Sequence, residues 1–206
     1  MLWMILPVMA WEVKTTKQGT PIRWAVNNID IDVQTTGTHG LTKEEILEAV
    51  SIAVNTWNSQ SLNNAITLSC TDEGREANSV LYFTDSWDHK EDTLAYTSIT
   101  NNEDSGEILS SSISISSGKN EDWHWSITGE DGSYDLINAL IHEFGHALGL
   151  DHSSITNAIM AYQGTRGDSF KRELHQDDVE GYQFLYSEAD PDQTEERKGQ
   201  RAHCYR

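Results

Sequence analysis

The sequence predicts an α+β domain of roughly five strands and three helices. Several short segments carry apolar residues at alternate positions, the period of a half-buried strand. Three longer segments repeat apolar residues every three or four positions, the period of a helix with one buried face. A length of 206 residues is enough for one domain with a full core, and barely enough for two.

The first strand is expected over 21–26, where Ile22, Trp24 and Val26 alternate with Arg23 and Ala25. A helix follows over about 43–57. Thr42 and Glu45 form a capping box at its start, and Leu41 can staple against Ile46. Ile46, Val50, Ala53 and Trp57 share one face, flanked by Leu47 and Val54. Further strands are expected at 66–70, 80–84, 93–100 and 108–116. The last two are joined by Asn101-Asn102-Glu103-Asp104-Ser105-Gly106, a turn-rich link that predicts a hairpin or short crossing. A loop bearing Trp123 and Trp125 leads to a second helix over 135–148, capped by Ser133 or Asp135. Its apolar side is Leu136, Ile137, Leu140, Ile141, Phe144, Ala147 and Leu148. The third helix is expected over 176–186, burying Val179, Tyr182, Leu185 and Tyr186.

The formal charge is −19, from 14 Lys and Arg against 33 Asp and Glu. With a pI near 4.6, the chain would be repelled by nucleic acid and by anionic membrane, so neither is expected as a partner. The acidity reads first as solubility, with substrate steering or calcium binding as alternatives. Hydrophobic residues at 37% fit a folded chain rather than a disordered one. Residues 1–10 are nearly all apolar, too short to span a bilayer but suited to a secretory signal, with Val8 and Ala10 at plausible cleavage positions. No basic residue precedes Leu2, so the signal is minimal or begins upstream. Export to the extracellular side or a periplasm is expected. The domain is then 11–187, with a polar tail over 188–206. Cys70 and Cys204, in an exported chain, most simply form one disulfide. The alternatives are a buried Cys70 with a free Cys204, or a Cys204 thiolate that reaches a metal.

The chemistry is concentrated in the second helix. His142 and His146 are four residues apart, one turn apart on one face, and two such imidazoles can grip one zinc ion. Gly149 ends the helix and can turn the chain so that His152 returns as a third ligand. Three protein ligands leave the fourth zinc position for water, the catalytic arrangement. Glu143 can face that water as general base and acid. His-Glu-x-x-His alone would arise in about 3% of shuffled chains of this composition; adding Gly149 and His152 lowers this to the order of 10⁻⁴. His39, His89, His124 and His203 are lone residues in polar segments and read as solvated.

The run His142-Glu-Phe-Gly-His-Ala-Leu-Gly-Leu-Asp-His152 resembles the zinc-binding consensus of the metzincin metallopeptidases. Ser153, Met160 eight residues after His152 as a Met-turn, and 174–186 with its paired Asp177 and Asp178 make it similar to the matrixin branch, most of all to exported bacterial matrixins. The resemblance covers about 20–187. It implies a metzincin-type catalytic domain with a twisted five-stranded mixed sheet, three helices and a cleft over one catalytic Zn²⁺. It also implies an endopeptidase whose protein or peptide substrate pairs with an edge strand at Leu94, Ala95 and Tyr96. Met160 would form a hydrophobic floor under the zinc ligands.

Asn138 extends the stripe of His142 and His146 by one turn, and the resemblance places it in the S1′ pocket, predicting a polar floor. Tyr162 is two residues after Met160; the resemblance allows a role as an oxyanion donor or as S1′ wall and packing. Tyr96 and the Ser-rich 110–117 stand where animal matrixins carry histidines for a structural zinc, so none is expected. Calcium is unmapped, although Glu103, Asp104 and Glu107, or Glu130, Asp131 and Asp135, are acidic enough to take it. The family's cysteine-containing latency motif has no counterpart, so latency would arise otherwise, a Cys204 switch being one route. The rivals are a self-processing or single-target peptidase, a catalytically silent zinc domain that binds a partner in the same cleft, and an acidic adhesion module without zinc. A monomer is the default.

Overall fold

A computed structural model describes residues 10–37, 40–60, 67–71, 77–87, 89, 93–118, 122–162 and 171–187. Most of the proposed signal segment, the 188–206 tail, His39 and His203 lie outside the described residues, as does the Cys70–Cys204 pairing.

Five strands form the main sheet: β1 (Asn28–Val33), β2 (Thr67–Thr71), β3 (Ser79–Thr84), β4 (Ala95–Asn101) and β5 (Ile108–Ser116). Their order is β2-β1-β3-β5-β4. All neighbours pair in parallel except β4, which runs antiparallel to β5 at the sheet's edge. This is the predicted mixed sheet, and 101–106 is the predicted hairpin link. Its register sets Ala95 opposite Ile115 and Thr97 opposite Ile113. A pair of two-residue strands, β6 (Trp125–Ser126) and β7 (Tyr134–Asp135), closes the loop before the second helix.

The inner face of the sheet carries Ile29, Ile31, Val33, Leu68, Leu81, Phe83, Ile113 and Ile115, all buried. They join one core with helices α1 (Lys43–Asn58) and α2 (Leu136–Ala147). The capping box of α1 forms as expected, with Thr42 Oγ1 accepting from the Glu45 N–H and Glu45 accepting from the Thr42 N–H. Trp57 Nε1 donates to Ile141 O at 2.8 Å, which fixes α1 against α2. Helix α3 (Gln176–Tyr186) begins with His175, whose Nδ1 accepts the Asp177 N–H.

The strand expected at 21–26 is a correction. This segment makes only single-residue bridges, Pro21 with Thr15 and Arg23 with Glu107. Ile22 and Trp24 are buried as their alternation implies, but the polar side-chain groups of Arg23 and Trp24 pair with the helices. Trp24 Nε1 donates to Ala147 O, and Arg23 Nη1 to Leu185 O. The first sheet strand is Asn28–Val33, whose Asn-Ile-Asp-Ile-Asp-Val pattern also has period two. At the start of α2, Asp135 rather than Ser133 is the cap.

Candidate metal centre

The site is built on α2 and the turn that follows it. Asp135 Oδ1 accepts the Asn138 N–H at 3.1 Å and starts the helix. The helix ends at Gly149, with φ of 99°. A Cβ there would overlap the Ile22 carbonyl oxygen, so both the turn and the close approach call for glycine. The turned segment is held by the N-terminal chain, with Lys14 N donating to Gly149 O and Asp151 N to Glu12 O. His152 is thereby carried back toward α2.

Hydrogen bonds orient two of the three imidazoles. His142 Nδ1 lies 2.8 Å from Ile159 O, and His146 Nδ1 lies 2.9 Å from Leu150 O. A carbonyl only accepts, so each Nδ1 carries the proton and each Nε2 keeps its lone pair. His152 Nε2 is 3.2 Å from His146 Nε2. One nitrogen from each of the three rings lies within 4.8 Å of the others, and among the described residues this is the group of three able to hold a metal ion. Tetrahedral zinc at its usual bond length sets ligand nitrogens about 3.3 Å apart, so the donor set fits it. Burial holds all three imidazoles below their usual pKa, His146 well below. Neutral rings are the form that binds metal.

Glu143, next to the first histidine, is buried. Burial pushes its carboxyl up to about 7, opposed by a hydrogen bond from Thr97. Thr97 Oγ1 lies 2.5 Å from Glu143 Oε2 and 3.2 Å from Glu143 O.

Met160 is buried against α2. A Cβ on Gly145 would overlap Met160 Sδ and stand 2.9 Å from Trp57 Cζ2. The Met-turn is anchored from α3. Asp178 accepts the N–H groups of Ile159, Met160 and His175, while Ser153 Oγ donates to Asp177 at 2.5 Å.

The family model for matrixin, a peptidase family, matches residues 23–187. The chain belongs to the matrixin family. Matrix metalloproteinase-25 of Homo sapiens is 52% identical over 68 residues, covering 32% of this chain and 12% of that protein. Matrix metalloproteinase-9 of Canis lupus familiaris is 48% identical over 67 residues, 32% of this chain and 9% of that protein. Metalloendoproteinase 2-MMP of Arabidopsis thaliana is 40% identical over 88 residues, 38% of this chain and 23% of that protein. The chain thus matches less than a quarter of the length of each of these relatives. The matrixin family implies zinc, for which the three histidines are suited.

The remaining predicted residues of this matrixin fall at three places. Ala95 and Tyr96 open the edge strand β4, with Leu94 just before it; Leu94 O accepts the Ser116 N–H. The Tyr96 ring is exposed and stacked on His89, which also meets Trp87 in a T-shaped contact, so His89 is exposed but not isolated. Asn138 Nδ2 donates to Lys171 O, tying α2 to the chain that enters α3. Tyr162 is 71% exposed, its ring centroid 4.8 Å from that of His152. Asp135 accepts from its cap partner Asn138 N–H and from Arg172 Nε at 2.8 Å. No described helix is long and apolar enough to cross a membrane.

Sequence reasoning missed Thr97, Gly145, Arg172 and the capping role of His175. Thr97 and Arg172 meet their partners across 46 and 37 residues, so no local pattern marks them. Gly145 could have been noticed as a glycine inside a helix, where it costs stability unless packing requires it. His175 precedes Gln-Asp-Asp, which does carry a helix-start signal.

Proposed function

We propose that this chain is a zinc-dependent endopeptidase that cuts extended protein or peptide substrates. The observation that supports it most is the convergence of three neutral imidazoles beside one buried carboxyl. Zinc bound there would polarise a scissile carbonyl and lower the pKa of water. Glu143 takes the proton of the attacking water and hands it to the leaving amine. Its buried place next to His142 sets it beside the metal position, where both transfers would occur.

The substrate adds a strand along the open edge of β4, using backbone groups around Leu94, Ala95 and Tyr96. Antiparallel β4 lies at the sheet margin with β5 on its other side, which supports this reading. Asn138 forms a polar S1′ floor, and Tyr162, exposed beside His152, forms part of the S1′ wall. The protein acts as a monomer after export.

A peptide library incubated with zinc-loaded protein, beside Glu143→Ala, tests this. Cuts with wild type alone, and a P1′ profile not dominated by Leu, are expected. Cuts that persist in Glu143→Ala would overturn the mechanism. Bound zinc with no cuts would favour a silent zinc domain that binds a partner. An exclusive Leu preference would overturn the role of Asn138.

A further inference from the structure

Thr97 is the residue through which the sheet's edge touches the proposed general base. It faces inward from β4 and is buried. Its hydroxyl has one proton and two acceptors within reach, Glu143 Oε2 at 2.5 Å and Glu143 O at 3.2 Å. The shorter distance falls in the range of a hydroxyl bonded to a carboxylate. No described side chain donates to Oε1. The carboxyl is therefore held by one oxygen, and its other oxygen is left for chemistry.

Given the endopeptidase reading, on which it rests, we propose that Thr97 is the positioning residue of Glu143, joining the substrate-pairing strand to the base. A carboxylate on a flexible side chain has several rotamers, and most would carry the oxygens away from the reacting water. One buried hydrogen bond from a rigid strand selects a single rotamer. The same strand carries the substrate backbone, so one element sets the position of both reactants. Thr97 itself touches neither substrate nor metal. Its loss slows the chemical step and leaves binding alone.

The test uses the full chain with Thr97→Val, which keeps the shape and deletes the hydroxyl, and Thr97→Ser, which keeps the hydroxyl. Thr97→Val is expected to lower kcat by about 10- to 100-fold with KM within about twofold. Thr97→Ser is expected to stay near wild type, and both variants should bind zinc as wild type does. Crystals of the metal-free proteins supply a readout without activity: the Glu143 carboxyl should move in Thr97→Val and stay in Thr97→Ser. Should Thr97→Val not fold, Thr97→Ala serves the same comparison. Wild-type kcat in Thr97→Val, a Thr97→Ser as slow as Thr97→Val, or an unmoved Glu143 would overturn the proposal. If wild type cuts no peptide, the endopeptidase reading falls, and the crystals still decide whether Thr97 positions Glu143.

Discussion

Asp178 Oδ1 accepts the backbone N–H of Met160 at 3.0 Å, so the turn at Met160 is fixed by a residue 18 positions downstream, in α3. The other oxygen of Asp178 accepts from Ile159 and His175. Ile159 O in turn receives the His142 Nδ1 proton. One buried carboxylate thus orients a metal-facing imidazole through a single peptide unit. Asp178→Asn keeps the shape but sets an NH₂ group against an N–H donor whichever way it turns. A loss of about 2–4 kcal/mol is expected, with faster loss of zinc to a chelator. Urea unfolding and chelator kinetics check this; unchanged zinc release would remove the link from Asp178 to His142.

Gly145→Ala probes the contact between α2 and the Met-turn. The added methyl would collide with Met160 Sδ and crowd the Trp57 ring. Destabilisation of about 1–3 kcal/mol is expected from overpacking. Pairing it with Met160→Ala should restore only part, because the indole is rigid and Met160→Ala itself opens a cavity. Full additivity of the two changes in thermal unfolding would show that the contact is not made.

Arg172→Met should cost about 1–3 kcal/mol. It strips the guanidinium from Asp135, whose side chain is only 3% exposed, and from Ile127 O. Arg172 is partly exposed, which keeps the figure below that of a fully buried pair. Adding Asp135→Asn should recover part of the loss, since a neutral amide needs no counter-charge. A double variant less stable than Arg172→Met would contradict this.

The metal-free protein should show two opposed pH dependences. The three imidazoles are depressed, so the unfolded chain takes their protons first. Stability is present above the usual value of 6.5 and lost as pH falls below it. Glu143 has the opposite sign. Its carboxyl is raised from 4.5 to about 7, so its contribution is full below about 4.5 and lost as pH rises to about 7. Glu143→Gln removes only the second effect. Its stability relative to wild type should therefore rise between pH 5 and pH 8, by about 3 kcal/mol at most. Thermal melts of both chelated proteins at the two pH values check the sign.

The three helices and the convergence of His142, His146 and His152 were legible because they rest on local spacing. The Thr42–Glu45 cap, the one-turn separation of His142 and His146, and the turn at Gly149 each lie within a few residues. The 21–26 segment misled for a physical reason. Alternation reports burial on one side, and Ile22 and Trp24 are indeed buried, but it does not report whether a neighbouring strand is within reach. Asn28–Val33 has the same pattern, and only the pairing partners Leu68 and Leu81 tell the two apart. Thr97 was invisible because a threonine in a strand is ordinary; its meaning comes from Glu143 lying across the sheet–helix interface.

On the proposed reading, the three histidines hold a zinc ion on which Glu143 acts. Zinc titration of chelated protein decides this, following cleavage of one quenched peptide as metal is added. Wild-type activity should rise in step with bound zinc and level at one equivalent, while Glu143→Gln binds the same equivalent without cutting. Activity in Glu143→Gln, or a wild type that remains silent with its zinc bound, would rule out these roles for zinc and Glu143.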